Sequence, residues 1–261
     1  MIEKLKQSNH SAVRSSLRLD NLLVERKLIE NIGEAKCVVY AGKVRVNGQV
    51  VAKPDRMIDR MARLEIESPK RFVSRGGIKL EHAISQFHLT FNGLTCLDIG
   101  SSTGGFTDCM LQYGARKVYA VDAGHGQLDW KLRNNNRVII LEETNARYLK
   151  PGDIPEPVQF ATIDVSFISL TKILPAVKSI ISIDAGIISL IKPQFEAQRA
   201  EVRKGGIVHD RAVHKRIIKG IRCFGTEDIG LSWIGICESP IKGPAGNTEF
   251  LAYWKKITHN K

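Results

Sequence analysis

Leu97-Asp-Ile-Gly-Ser-Ser-Thr-Gly-Gly-Phe-Thr-Asp108 decides the architecture of this 261-residue chain. Thr95 to Ile99 reads as a buried strand ending beside an acid, Gly100 to Gly105 as a turn, and Phe106 to Tyr113 as a helix. A strand, glycine loop and helix in that order bring backbone N–H groups to a helix N-terminus. There a nucleotide-like ligand can lie close, because glycines carry no Cβ. Gly100, Gly104 and Gly105 do not fit G-x-G-x-x-G, and no Gly-Lys-Ser/Thr follows, so the dinucleotide and P-loop readings lose ground.

The next apolar run, Lys117 to Val121, ends in Asp122, where a carboxylate can accept both hydroxyls of a nucleoside ribose. An acid there, with the glycine loop, fits S-adenosylmethionine. Beyond residue 73 apolar strands alternate with amphipathic segments, the pattern of an α/β doubly wound sheet. Strands are expected near 95–99, 117–121, 137–141, 158–163, 186–191, 231–237 and 249–254. The polar run Arg133-Asn-Asn-Asn-Arg137 predicts a late start for the third. The basic, Gly-bearing stretch 199–211 reads equally as a mobile loop over a site or as ordinary surface.

The chain is 43% hydrophobic and 25% charged, as in soluble globular proteins, with a formal charge of +12. Such an excess points to a polyanionic partner. Residues 1–72 carry 15 Lys/Arg against 9 Asp/Glu, half of the excess in little more than a quarter of the length. Residues 1–16, with Glu3, Lys4, Lys6 and Arg14, read as a loose basic arm lacking the apolar run of a secretory signal. Leu17, Leu19, Leu22, Leu23 and Leu28 make an apolar helical stripe. Asn31 and Glu34 suggest a capped second helix that Gly42 closes, and Asn47-Gly48 between apolar runs signals a two-residue hairpin. Through this small unit recur Arg18, Arg26, Lys27, Lys36, Lys43, Arg45 and Lys53, as an RNA-binding surface requires. Residues 65–73, with Pro69, form the expected linker between units at 17–64 and 74–257.

Five scattered cysteines without a C-x-x-C pair read as reduced, mostly buried thiols, and no histidine spacing suggests a metal. The most apolar stretch, Ile180 to Ile191, is too short to span a bilayer and is interrupted by Asp184 and Gly186.

Several segments together resemble the TlyA family: Phe72-Val-Ser-Arg-Gly-Gly-Ile-Lys-Leu80, the 97–108 loop, Val121-Asp-Ala-Gly-His-Gly-Gln-Leu-Asp-Trp130, Ile163-Asp-Val-Ser-Phe-Ile-Ser-Leu170, Leu190-Ile-Lys-Pro-Gln-Phe-Glu196 and Ser239-Pro-Ile-Lys-Gly-Pro-Ala-Gly-Asn-Thr-Glu-Phe250. The resemblance implies an N-terminal α+β S4 RNA-binding domain joined to an FtsJ-like methyltransferase domain. The latter has a Rossmann-like seven-stranded sheet whose last two strands form an antiparallel edge hairpin. The implied activity is S-adenosylmethionine-dependent 2′-O-methylation of ribosomal RNA ribose, at cytidine, in a cytoplasmic protein acting on ribosomal subunits without metal or membrane. Two other readings compete: an RNA-binding assembly protein that has lost catalysis, and a membrane-active hemolysin, after the family's older name. The first requires an altered catalytic set and the second a membrane-active segment.

The resemblance assigns Lys79, Asp164, Lys192 and Glu249 as the catalytic set. Asp164 and Lys192 each follow an apolar strand, where open α/β sheets bind ligands. For the cofactor it implies Asp98, Gly100, Ser101, Gly104, Gly105, Phe106 and Asp122, with Asn145 at the adenine edge. Asp98 suits a loop-orienting role, and Phe106 suits either cofactor packing or core. Gln198 stands where the family has glycine, so the 193–205 loop is expected to depart in shape.

Overall fold

The computed structural model describes residues 16–67 and 71–258, and the chain divides into two compact units, Met1–Lys70 and Arg71–Lys261. Most of the expected basic arm therefore lies outside the described residues.

The first unit contains β1 (Ser16–Arg18), α1 (Leu19–Glu25), α2 (Ile32–Tyr40), β2 (Val44–Val46), β3 (Gln49–Val50), β4 (Met57–Asp59) and β5 (Leu64–Ile66). The apolar stripe does not make one long helix. Residues 16–18 pair antiparallel with β4, Leu17 opposite Ile58, and Leu19 and Asp20 donate their amides to the carbonyls of Arg56 and Pro54. These tertiary bonds satisfy backbone groups that a helix start leaves open, so α1 begins only at Leu19. Lys27 at φ 57° ends that region, leaving Leu28 45% exposed. Asn31 does cap α2, its Oδ1 accepting from Glu34 N at 2.9 Å. Asn47 and Gly48 both take positive φ, which a type I′ hairpin turn requires. Strand β5 crosses the start of the expected linker and pairs with β2. Leu19, Leu22, Leu23, Val39, Val44 and Ile58 fill the core.

The second unit runs α3 (Gly76–Phe87), β6 (Thr95–Ile99), α4 (Gly105–Gln112), β7 (Lys117–Val121), α5 (Trp130–Arg133), β8 (Val138–Leu141), β9 (Val158–Ile163), α6 (Leu174–Ile180), β10 (Ile181–Ile191), α7 (Pro193–Glu196), α8 (Arg211–Cys223), β11 (Ser232–Glu238) and β12 (Phe250–Lys255). The seven strands line up β11-β12-β10-β9-β6-β7-β8. β6 to β10 are mutually parallel and β12 is antiparallel to both its neighbours. All five residues of β6 are buried, Thr95 and Asp98 included, as in a sheet covered on both faces. Alternate side chains feed two cores. Leu97, Ile99, Ile163 and Ile187 meet α6 and α8 through Leu174, Val177, Ile217 and Ile221. Cys96, Val118, Phe160 and Ile188 meet α3 and α4 through Leu80, Ala83 and Met110. Each large side chain so buried contributes about 1.5–3 kcal/mol.

β10 starts earlier than the expected 186–191 because Asp184, at φ 63°, bulges the strand. Its amide is caught by Lys256 O at 2.6 Å. The cysteines correct one expectation: Cys96 and Cys109 are buried, Cys223 and Cys237 half-buried and Cys37 exposed. Burial pushes the Cys96 thiol up to about 12. No helix among the described residues is long and apolar enough to cross a membrane.

From β6 the chain steps outward to β7 and β8, then returns to β9 on the other side of β6. The carboxyl ends of β6 and β9 therefore part at a topological switch point, where α/β sheets of this kind bind ligands.

Candidate active site

A cavity of about 750 Å³ opens at that switch point. Lys79, Asp164, Lys192 and Glu249 all line it, from α3, the end of β9, the end of β10 and the start of β12. They form two ion pairs. Lys79 Nζ donates to Glu249 Oε2 at 2.6 Å, and the Glu249 side chain is 1% exposed. Lys192 Nζ stands 2.6 Å from Asp164 Oδ1 and donates to Ser166 Oγ at 3.0 Å. The Lys192–Asp164 contact has the distance of an ion pair without hydrogen-bond alignment, so Asp164 Oδ1 is left without a hydrogen bond. Glu249 Oε1 and Gln194 Oε1 are likewise buried and unbonded. Buried acceptors of this kind are costly and are kept where a ligand supplies the donor.

The two loops carrying Asp164 and Lys192 are braced together. Glu196, the last residue of α7, accepts from Ser169 Oγ at 2.6 Å and from Leu170 N at 2.8 Å. Burial raises its pKa, and these two bonds oppose the rise. Phe167 and Phe195 face each other across the same gap with ring centroids 4.9 Å apart. Phe167 is 90% exposed at φ 62°, a strained backbone carrying a bare aromatic ring at the cavity mouth.

Of the expected cofactor residues, Gly100, Ser101, Gly105 and Phe106 line the cavity. A Cβ on Gly100 would meet the carbonyl oxygen of Asp164 at 2.5 Å, and one on Gly105 would meet Ser74 Oγ. Phe106 is both wall and core, 3% exposed. Gly104 does not reach the cavity and instead makes room for Leu132 and Leu128. Asp98 is fully buried beneath the loop, accepting from Thr107 Oγ1 at 2.6 Å and Thr162 Oγ1 at 2.8 Å. Burial without a cation pushes its carboxyl up to about 6, against the pull of those hydroxyls. Asp122 is outside the lining and shapes the loop, accepting from Ser102 N at 2.8 Å and Gly124 N at 2.7 Å. Asn145 is exposed and accepts from Arg147 N at 3.1 Å, capping a short 3-10 turn away from the lining residues.

Sequence reasoning missed Ser166, Phe167, Gln194, Glu196 and Asn247. Asn247 ties the 199–210 segment down, accepting from Val208 N at 2.9 Å and donating to Gly206 O at 2.8 Å. An aromatic and two serines directly after a strand-end acid were the available signal in Ile163-Asp-Val-Ser-Phe-Ile-Ser. At Gln198, the amide donates to Glu201 at 3.0 Å and starts a 3-10 turn. Among the described residues no group of His, Cys, Asp and Glu could hold a metal ion.

In the first unit the seven expected cations differ. Lys27, Lys36, Lys43 and Lys53 are exposed, and among them Lys36 contributes to the field that holds the Asp20 carboxyl down. Arg18 is held by Asp20 at 2.7 Å, Arg45 by Gly48 O at 3.2 Å, and Arg26 by the carbonyls of Arg60 and Ala62.

Comparison with known proteins agrees with this geometry. The S4 domain family matches residues 17–64. YqxC of Bacillus subtilis, named as a candidate rRNA methyltransferase, is 48% identical over 90% of this chain and 84% of its own length. The 16S/23S rRNA (cytidine-2′-O)-methyltransferase TlyA of Mycobacterium tuberculosis is 40% identical over 92% of this chain and 90% of its own. A solved structure from Streptococcus thermophilus, titled as a candidate hemolysin, is 44% identical and covers 93% of this chain and 89% of its own, with TM-score 0.71. The loop of β6, the strand-end pair and the β12 carboxylate fall inside residues 72–256, which match the FtsJ-like methyltransferase family, and to that family this chain belongs.

Proposed function

We propose that the protein methylates the 2′-oxygen of a cytidine ribose in ribosomal RNA, in the cytoplasm, with S-adenosylmethionine as donor. The observation that carries this reading is the convergence of Lys79, Asp164, Lys192 and Glu249, from four separate elements, on the cavity walled by the 100–106 loop. The bound cofactor supplies a methyl group already activated by a sulfonium. Gly100 and Gly105 let the loop pack tightly on Asp164 and Ser74 at the cavity wall, and Asp122, beside that wall with lone pairs left beyond its two amide bonds, would hold the ribose hydroxyls.

A ribose hydroxyl is a poor nucleophile at neutral pH, so the protein must hold it in line and take its proton. Lys192 would orient that oxygen through its Nζ, and its neutral form, having released its own proton to solvent, would take the hydroxyl proton, with Asp164 holding the amine 2.6 Å away. Lys79 and Glu249, paired at 2.6 Å, would help position the hydroxyl. The free Oε1 of Glu249 is an acceptor for the substrate. Phe167 offers a stacking face for a base drawn out of its helix.

The test is ribosomal RNA from cells without the gene, treated with purified protein and cofactor, then cleaved in alkali. One nucleotide should become resistant, because a methylated 2′-oxygen cannot attack the adjacent phosphate. A new methyl group on a base, with the backbone still labile, overturns the assignment. In calorimetry, Asp122→Ala should weaken S-adenosylmethionine binding by about 1.5–3 kcal/mol; an unchanged constant removes Asp122 from the ribose.

A further inference from the structure

Outside the cavity, we propose that the exposed face of α8 docks the phosphate backbone of the RNA substrate, a second anchoring surface that belongs to the methyltransferase unit itself; it rests on the reading that RNA is the substrate. Arg211, Lys215, Lys219 and Arg222 are spaced so that they fall on one side of this helix, and all four are exposed. The stripe is about 16 Å long at the helical rise, enough for several successive phosphates. No Asp or Glu occurs between Arg211 and Cys223. Arg211, Lys215 and Lys219 have no partner among the described residues. Arg222 stacks over the Trp233 ring, 5.7 Å from its centroid.

The helix breaks three rules of its own stability. Lys215 is four residues from both Arg211 and Lys219, and like charges at that spacing repel. Arg211 puts a cation in the first turn, against the helix dipole. Gly220 stands mid-helix, with open space where its Cβ would be, so no packing demands a glycine. Local rules broken together without a structural gain mark a surface shaped for a partner, and a polyanion removes the repulsion while a small exposed residue lets its backbone approach.

The opposite face is already committed. His214, Ile217 and Ile221 are buried, the His214 ring nitrogen lies 2.8 Å from Val208 O, and its ring meets Phe250 at 5.5 Å. That leaves no apolar face for insertion into a lipid surface. The same anchoring connects α8 to the cavity wall. Val202 and Gly206 line the cavity, and between them Arg203 and Lys204 are exposed at a tip whose Gly205 and Gly206 take positive φ. Two exposed cations therefore stand at the cavity edge, and beyond the capping Asp210 four more stand along α8.

The experiment compares full-length wild type with R211Q/K215Q/K219Q and the charge-keeping K215R/K219R, using unmodified ribosomal RNA as probe. The triple variant should show a log–log salt dependence of RNA binding flatter by roughly 0.7–0.9 per lost phosphate contact. Its KM for RNA should rise about tenfold or more, with kcat at saturating RNA and cofactor affinity unchanged, and K215R/K219R should behave as wild type. An unchanged slope and KM in the triple variant overturns the surface while the methylation reading stands. So does wild-type protein whose α8 cations control binding to phosphatidylglycerol vesicles or to polyglutamate but not to RNA. Wild type that leaves ribosomal RNA unmethylated and unbound overturns both.

Discussion

Two carboxylates mark opposite ends of the central sheet, and their surroundings could hardly differ more. Glu156, ahead of β9 at the amino ends, is met by Arg116 at 2.7 Å, Lys117 at 2.5 Å, Tyr119 at 2.7 Å and Thr95 at 3.2 Å. Those bonds hold its carboxyl at about 2. Asp98, at the carboxyl end of β6, has two hydroxyls and the Thr107 amide but no cation, and its carboxyl rises to about 6. The cavity beyond those strand ends holds the unbonded oxygens of Asp164, Glu249 and Gln194. The amino end satisfies its own valences and serves stability; the carboxyl end keeps valences open and serves chemistry.

Three substitutions would break or sharpen that contrast. Lys192→Ala at the open end should cost about 10² to 10⁴-fold in methylation rate. Cofactor affinity and melting temperature should stay near wild type, because Asp164 keeps partial access to water. A large loss of thermal stability would move Lys192 to the structural side. Asp98 gives a smaller, pH-dependent effect. Its pKa is raised in the fold, so the native state holds the extra proton and stability falls as pH rises from about 4 to about 6. The change is no more than about 3 kcal/mol, and Asp98→Asn should flatten it in unfolding curves taken across that range. Persistence of the full slope in the variant would assign it to another group. Glu156 carries the opposite sign. Its pKa is lowered, so its contribution is present above about 4.5 and is lost as pH falls toward about 2. Partly exposed partners keep this contribution near ~1 kcal/mol, so Glu156→Gln should lower stability slightly with kcat untouched. A fall in kcat would place catalytic coupling at the closed end as well.

The strands were legible because a parallel sheet covered on both faces writes itself as apolar runs, and Asp164, Lys192 and Asp122 stand directly at their ends. What escaped depends on contacts distant in sequence. Residues 16–18 pair with 57–59, which no helical stripe could reveal. Asn145 stands four residues past the end of β8, where Asp122 follows β7 directly, and it turns to its own backbone. Gly104 carries the same letter as Gly105 but faces Leu132 instead of the cavity. Phe167 drew no reading of its own from the sequence, and only its 90% exposure shows the ring turned outward.

Gly100 packs so closely on the carbonyl of Asp164 that the loop after β6 and the turn after β9 share one wall. Anyone recoding the pocket for an altered donor would therefore find position 100 closed to every side chain. Ser102, already left-handed at φ 47° and bordering the cavity, is where such a library can vary, and glycine there should be accepted without strain.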